Sequence, residues 1–155
     1  MRYIFIIVFT GLILPSCFIT NSYRKQEFIF NDEGNNYSIP FVVPRGFKKK
    51  WSSVDEWGNT VQTYSYKDGS VLYFSHMKDS TADMQPITYA ENQPHKSHHT
   101  PAIIYKGIDK NMLYYREVRQ GRFWMGYRFV DSDDEYKFDS ATNVLVAWPV
   151  QIIKR

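Results

Sequence analysis

The chain of 155 residues has one cysteine, Cys17. An intrachain disulfide is therefore excluded, and the fold must be held by packing and polar contacts. There is no Gly-x-Ser-x-Gly elbow, no His-Glu-x-x-His helix, no Walker loop and no pair of carboxylates in a recognisable catalytic frame. The common sequence frames for hydrolysis and phosphoryl transfer are thus missing. Strong charge of one sign is missing too. The formal net charge of +3 is far from the basic footprint that binding nucleic acid requires. Long hydrophobic runs are absent: the one greasy stretch, Tyr3–Leu14, stops at Pro15, short of the roughly 20 residues that span a bilayer.

That short run is informative for what flanks it. Arg2 and the Met1 amine precede it, and Leu14-Pro15-Ser16-Cys17 follows. A positive start, a short apolar stretch and small residues at its end are the parts of an export signal. The tetrad at 14–17 resembles the lipobox of bacterial lipoproteins. The resemblance implies that residues 1–16 are a signal peptide, that cleavage precedes Cys17, and that Cys17 carries a thioether-linked lipid with its new amine acylated. Anchoring by more than one acyl chain is stable where a single chain is not. Residues 17–26 then form a lipidated tether, and 27–155 form one globular domain, a length that suits a single core. The expected location is the cell envelope. Phe18, standing where an inner-membrane retention signal would have Asp, favours the outer membrane.

Aromatic residues make up 17% of the chain, which favours the half-buried surface of a sheet. Phe28 and Phe30 mark a first strand over Glu27–Asn31, and turn formers fill 31–36. Tyr37, Ile39, Phe41 and Val43 line one face of a second strand, whose Pro40 points to a sheet edge. Phe47–Trp57 reads as a short helix or an irregular loop. Asp68-Gly69 between β-rich runs predicts a hairpin over Thr60–Met77. Lys78–Pro101 is polar and reads as a long loop. Ala102–Lys106 predicts a strand ended by Gly107. Leu113–Arg119 and Phe123–Val130 predict a second hairpin about Gln120-Gly121-Arg122. In its second strand Phe123, Met125, Tyr127 and Phe129 share one face. Asp133–Ala147 predicts a helix with Phe138, Ala141, Val144, Leu145 and Trp148 on one stripe. Its leading acids, Asp133, Asp134 and Glu135, suit a helix N-terminus. The expected fold is α+β: an antiparallel sheet of about five to seven strands with one C-terminal amphipathic helix packed on one face.

Several phrases, Pro44-Arg45-Gly46-Phe47, Tyr64 to Tyr73, Tyr114-Tyr115-Arg116-Glu117 and Lys137-Phe138-Asp139, resemble those of small Bacteroidota-type lipoproteins. The resemblance implies a fold and a location but no activity. A sheet with a C-terminal helix is also distantly similar to the α/β sandwich of photosystem II PsbP.

The candidate sites are few. His95, His98 and His99 place three imidazoles within five residues, a donor set suited to zinc or copper. Pro94 and Pro101 bracket them, and no carboxylate stands close by to orient the rings. Asp131, Asp133 and Glu135 mimic the start of a calcium loop, but Tyr136 stands where glycine is needed. Lys48-Lys49-Lys50 could touch anionic lipid. Trp124, with Tyr114 and Arg116, forms a candidate aromatic and basic surface if the helix leaves that face uncovered. The sequence reading is a non-catalytic, lipid-anchored binding or accessory module with no cofactor. Its partners are the membrane, through the Cys17 lipid, and an envelope protein or glycan, with no nucleic acid. A small metal-dependent hydrolase using His95, His98 and His99 is one alternative, and an envelope immunity or inhibitor protein is another. Lipidation has a direct expected outcome. The product from cells starts at Cys17 with the added mass of acyl chains, and Cys17→Ser remains uncleaved at that site; intact mass spectrometry of both checks it.

Overall fold

The computed structural model describes residues 22–78, 95–96, 102–147 and 152–155. Ten strands and two short helices occupy them: β1 Tyr23–Asp32, β2 Asn35–Pro44, β3 Lys49–Val54, β4 Thr60–Ser65, β5 Val71–His76, β6 His95–Lys96, β7 Ile103–Ile108, β8 Tyr114–Gln120, β9 Phe123–Val130, α1 Glu135–Thr142, α2 Val144–Ala147 and β10 Ile153–Lys154. The fold is α+β. Its strands form two antiparallel sheets rather than one. The small sheet has the order β1-β2-β10, and the large sheet β3-β4-β5-β9-β8-β7, with the two-residue β6 at its edge.

Turn chemistry sets the hairpins. Glu33 and Gly34 both have positive φ, 50° and 78°, as a two-residue type I′ connection requires. Gly69, at φ 91°, turns the chain between β4 and β5, where Asp68 Oδ1 accepts the Ser70 N–H at 3.0 Å. Gly121, at φ 55°, is the first of only two residues between β8 and β9, so that Gln120 pairs with Phe123. The expected strand starts and stops shift where local pattern is weak. β1 begins at Tyr23, inside the expected tether, because residues 23–26 pair with Phe41–Pro44. The ambiguous 47–57 stretch contains β3. Gly107 does not end β7, which runs on to Ile108. Pro40 lies within β2 rather than in an edge strand. β10 meets β2 only at Tyr37 and Ser38 and stops short of that proline.

The core lies on one face of the large sheet. Phe28 stacks on Phe74 with centroids 4.6 Å apart, and Phe41 meets Phe74 at 5.2 Å. The β1–β2 hairpin thus covers the β4–β5 half of that face. The helical segment covers the β8–β9 half, with Phe138 against Tyr127 at 5.5 Å. Buried aromatics of this size each cost about 3–5 kcal/mol to truncate to alanine.

The expected single helix is broken. α1 ends at Thr142, and Asn143 separates it from α2. Arg116 caps that break from below. Its Nη1 donates to the Asp139 carbonyl and to Thr142 Oγ1, each at 2.9 Å, and its Nη2 to Asn143 Oδ1 at 2.8 Å. The Asp139 carbonyl also accepts the Asn143 N–H at 3.1 Å, and a cation beside the last carbonyls of a helix is favourable. Asp139 completes the dock, accepting from Tyr127 Oη and Lys106 Nζ, both at 2.7 Å. The leading acids stand at the helix start as expected, with Glu135 in the first turn. Asp134 occupies the N-cap position without a side-chain capping bond and pairs with Lys137 instead. Trp148 and the Leu14–Ser16 leader lie outside the described residues.

His76 locks the far end of the hairpin to the sheet. It is 1% exposed and packs against the rings of Phe30, at 4.3 Å, and Phe123, at 5.2 Å. Arg122 Nη2 lies 2.9 Å from His76 Nε2 and pairs with Asp32 at 2.6 Å. A guanidinium only donates, so Nε2 accepts and the ring is neutral, with its proton on Nδ1. Burial first, then the Arg122 charge, lowers the His76 pKa to about 4, with Asp32 opposing. The unfolded chain, with an ordinary value near 6.5, binds the extra proton between those limits. The His76 contribution is therefore whole above about pH 6.5 and declines as the pH falls towards 4, by up to about 3 kcal/mol. Urea unfolding of wild type and His76→Phe across pH 7 to 4 checks this: the wild type loses stability more steeply, and parallel curves would contradict it.

Candidate functional site

Residues paired across a sheet share a face. One such row crosses six strands: Trp51, Thr63, Tyr73, Gly126, Glu117 and Tyr105. It lies on the face away from the hairpin and the helices. No described element packs over this face, and the side chains on it are of a different kind from the core: hydroxyls, charges and amphipathic aromatics.

Gly126 is the gap in that row. A Cβ there would stand 2.5 Å from the Tyr73 hydroxyl and 2.5 Å from the Arg116 carbonyl. The missing side chain lets the Tyr73 phenol cross β9 and donate its hydroxyl to Glu117 Oε2. Arg119 Nε donates to the other oxygen, Oε1, at 2.6 Å. The Arg119 guanidinium in turn lies 3.8 Å over the Trp124 ring and 4.8 Å over the Tyr105 ring. Glu117 is 5% exposed, and two charge-assisted donors are what a buried carboxylate needs. Burial pushes the Tyr73 phenol well above its ordinary value, and the Glu117 charge adds to the rise. The phenol keeps its proton and remains a donor.

Beside this network is a cavity of about 300 Å³, walled by Val71, Tyr73, Trp124 and Phe129, with Glu117 and Arg128 as its charged residues. The Arg128 guanidinium stands 5.7 Å from the Tyr73 ring centroid. Its Nε is closed off from water and has no hydrogen-bond partner. Thr63 and Ser75 also line the cavity.

Phe129 reaches this wall through a strained backbone. Strict alternation would send it to the core face with Tyr127. Instead β9 carries a bulge: Tyr114 pairs with Val130 and Arg116 with Tyr127, so Arg128 and Phe129 together oppose Tyr115. Phe129 takes φ 60°, turns outward, and leaves Val130 fully buried in its place. Left-handed backbone at a bulky residue costs on the order of 1 kcal/mol or more and concentrates at functional positions. Bulges likewise re-aim side chains beside sites.

The residues singled out from sequence separate here. Trp124 is on this face, though only 8% exposed beneath Arg119. Tyr114 and Arg116 are on the opposite face: Tyr114 packs on the core, and Arg116, 7% exposed, is committed to the helix break. The three do not form one surface. Of the histidine cluster, His95 is placed by its backbone alone, opposite Ile104 in β6. His98 and His99, like Cys17, lie outside the described residues. Lys49 and Lys50 belong to exposed β3, where Lys50 Nζ donates to Gln26 Oε1 at 3.1 Å. Sequence reasoning missed Tyr73, Glu117, Arg119 and Arg128. The available signal was Gly126, since a glycine inside a strand pattern marks a close approach. No protein-family model, curated protein or solved structure matches this chain.

The Gly126 gap makes a firm expectation. Gly126→Ala must displace the phenol and the Arg116 carbonyl, at a cost of about 1–3 kcal/mol. Chemical denaturation reads the loss, and an unchanged midpoint would show that no close approach exists.

Proposed function

We propose that this chain is a lipid-anchored envelope protein that binds its ligand, without chemistry, on the face of its large sheet that no described element covers. The observation that carries this reading is the cavity of about 300 Å³ walled by Tyr73, Trp124 and Phe129 on that face. Concave, mostly apolar sites with a few converging polar groups are what small-ligand binding uses. A strained bulge beside the cavity supports the same reading: it seats Val130 in the core and also turns Phe129 onto the cavity wall, and strained backbone concentrates at functional positions. Glu117 is held by two donors and Tyr73 keeps its proton, which suits a rigid rim better than a proton shuttle. The lipobox-like tetrad at 14–17 supports the envelope location, and the lipid on Cys17 supplies the membrane as the standing partner. The diffusing partner is an envelope glycan or peptide of a size to enter the cavity.

Amide and indole chemical-shift mapping with envelope-derived glycan and peptide fragments tests the site. Saturable shifts are expected around Thr63, Ser75, Trp124 and Arg128, and Val71→Trp, which fills the cavity, abolishes them. Shifts that centre elsewhere, or that survive Val71→Trp, would sink the proposal.

A further inference from the structure

The charges around the cavity do not balance, and the imbalance indicates what the cavity takes. Both Glu117 oxygens are occupied, one by the Tyr73 hydroxyl and one by Arg119 Nε at 2.6 Å. Arg119 is engaged in turn by Glu117, Trp124 and Tyr105. Arg128 is different. It makes no ion pair among the described residues; its neighbour is the Tyr73 phenol, which offers a ring and a hydroxyl but no negative charge. Its buried Nε has no acceptor. A guanidinium donor closed off from water and left unmatched is unfavourable, and an anionic acceptor relieves it best. An oxyanion is the kind of group that would match it.

The remaining walls define the rest of the ligand. Trp124, Phe129 and Val71 present apolar surface, two of them flat rings, and the Thr63 and Ser75 hydroxyls line the same space. A planar guanidinium matches a carboxylate by a two-pronged hydrogen bond, while the apolar walls favour a flat apolar body beside it. Resting on the binding reading above, we infer that the open-face cavity takes a small carboxylate borne on a flat apolar body, with Arg128 as the partner of the anion and Trp124 and Phe129 as its walls. The bulge then has a use: it brings Phe129 to the wall directly after Arg128, so the cation and one ring come from adjacent residues.

Matched pairs test this. Benzoate, 2-naphthoate and indole-3-acetate are titrated by calorimetry into the purified protein, each beside its neutral primary amide. At least one carboxylate is expected to bind tenfold or more tightly than its amide, with the advantage shrinking as salt rises. Arg128→Met removes the preference, and Arg128→Lys, which keeps charge without the fork, restores only part of it. Circular dichroism confirms that both variants are folded. Equal binding of acid and amide, or a preference that survives Arg128→Met, overturns the carboxylate assignment while leaving an apolar binding cavity. Binding of neither member of any pair overturns the flat carboxylate as ligand, while the shift mapping with Val71→Trp decides the cavity reading separately.

Discussion

A broad sheet has two faces, and the described elements cover one. Phe74 is where that constraint is met: Phe28 and Phe41 stack on it from the hairpin at 4.6 and 5.2 Å, and the covered face continues through Met125 and Tyr127 to Phe138 of α1. The hairpin seals one half of the face and the helices the other. Nothing among the described residues does the same behind them. The opposite face buries much of its surface as well, but with polar groups that find partners on the face itself. It carries Thr63, Ser75, Tyr73, Glu117, Arg119 and Trp124, residues with an apolar body and a polar tip or with a charge that can be paired.

The two faces are coupled through single strands. Consecutive residues of β8 point opposite ways, so Arg116 serves the helix break and Glu117 the outer network. Gly126 sits between them: its missing Cβ clears both the Tyr73 hydroxyl and the Arg116 carbonyl. Buried ion pairs of this kind add little net stability, yet removing one partner is expensive. What Glu117 and Arg119 provide is fixed geometry, a rigid edge to the cavity and a flat cation over Trp124.

Register explains the main divergence between sequence reading and structure. A three-residue turn, Gln120-Gly121-Arg122, would place Tyr114 and Arg116 on the Trp124 face. The actual turn holds two residues, Gly121 and Arg122, so Arg119 opposes Trp124 and the odd-numbered residues of β8 join it. A slip of one residue exchanges the faces of a whole strand. The same arithmetic hid Glu117. The bulge adds a second slip that no alternation pattern reveals, since Phe129 leaves the face of Tyr127 without any change in residue type.

By itself the sequence determined the local decisions. It fixed hairpins at Asp32–Asn35 and at Asp68-Gly69, the apolar face of β2, the stripe of Phe138, Ala141 and Leu145, and the α+β class. These depend on neighbouring residues: a glycine that accepts positive φ, or an apolar period of two or near four. Only tertiary structure decided that the sheet is divided in two, that Arg116 caps a broken helix, and that Tyr73, Glu117 and Arg128 meet beside a cavity. Tyr73 and Glu117 are 44 positions apart in the chain. Their meeting depends on strand order and register, which are set by how whole elements pack and not by the residues beside either one.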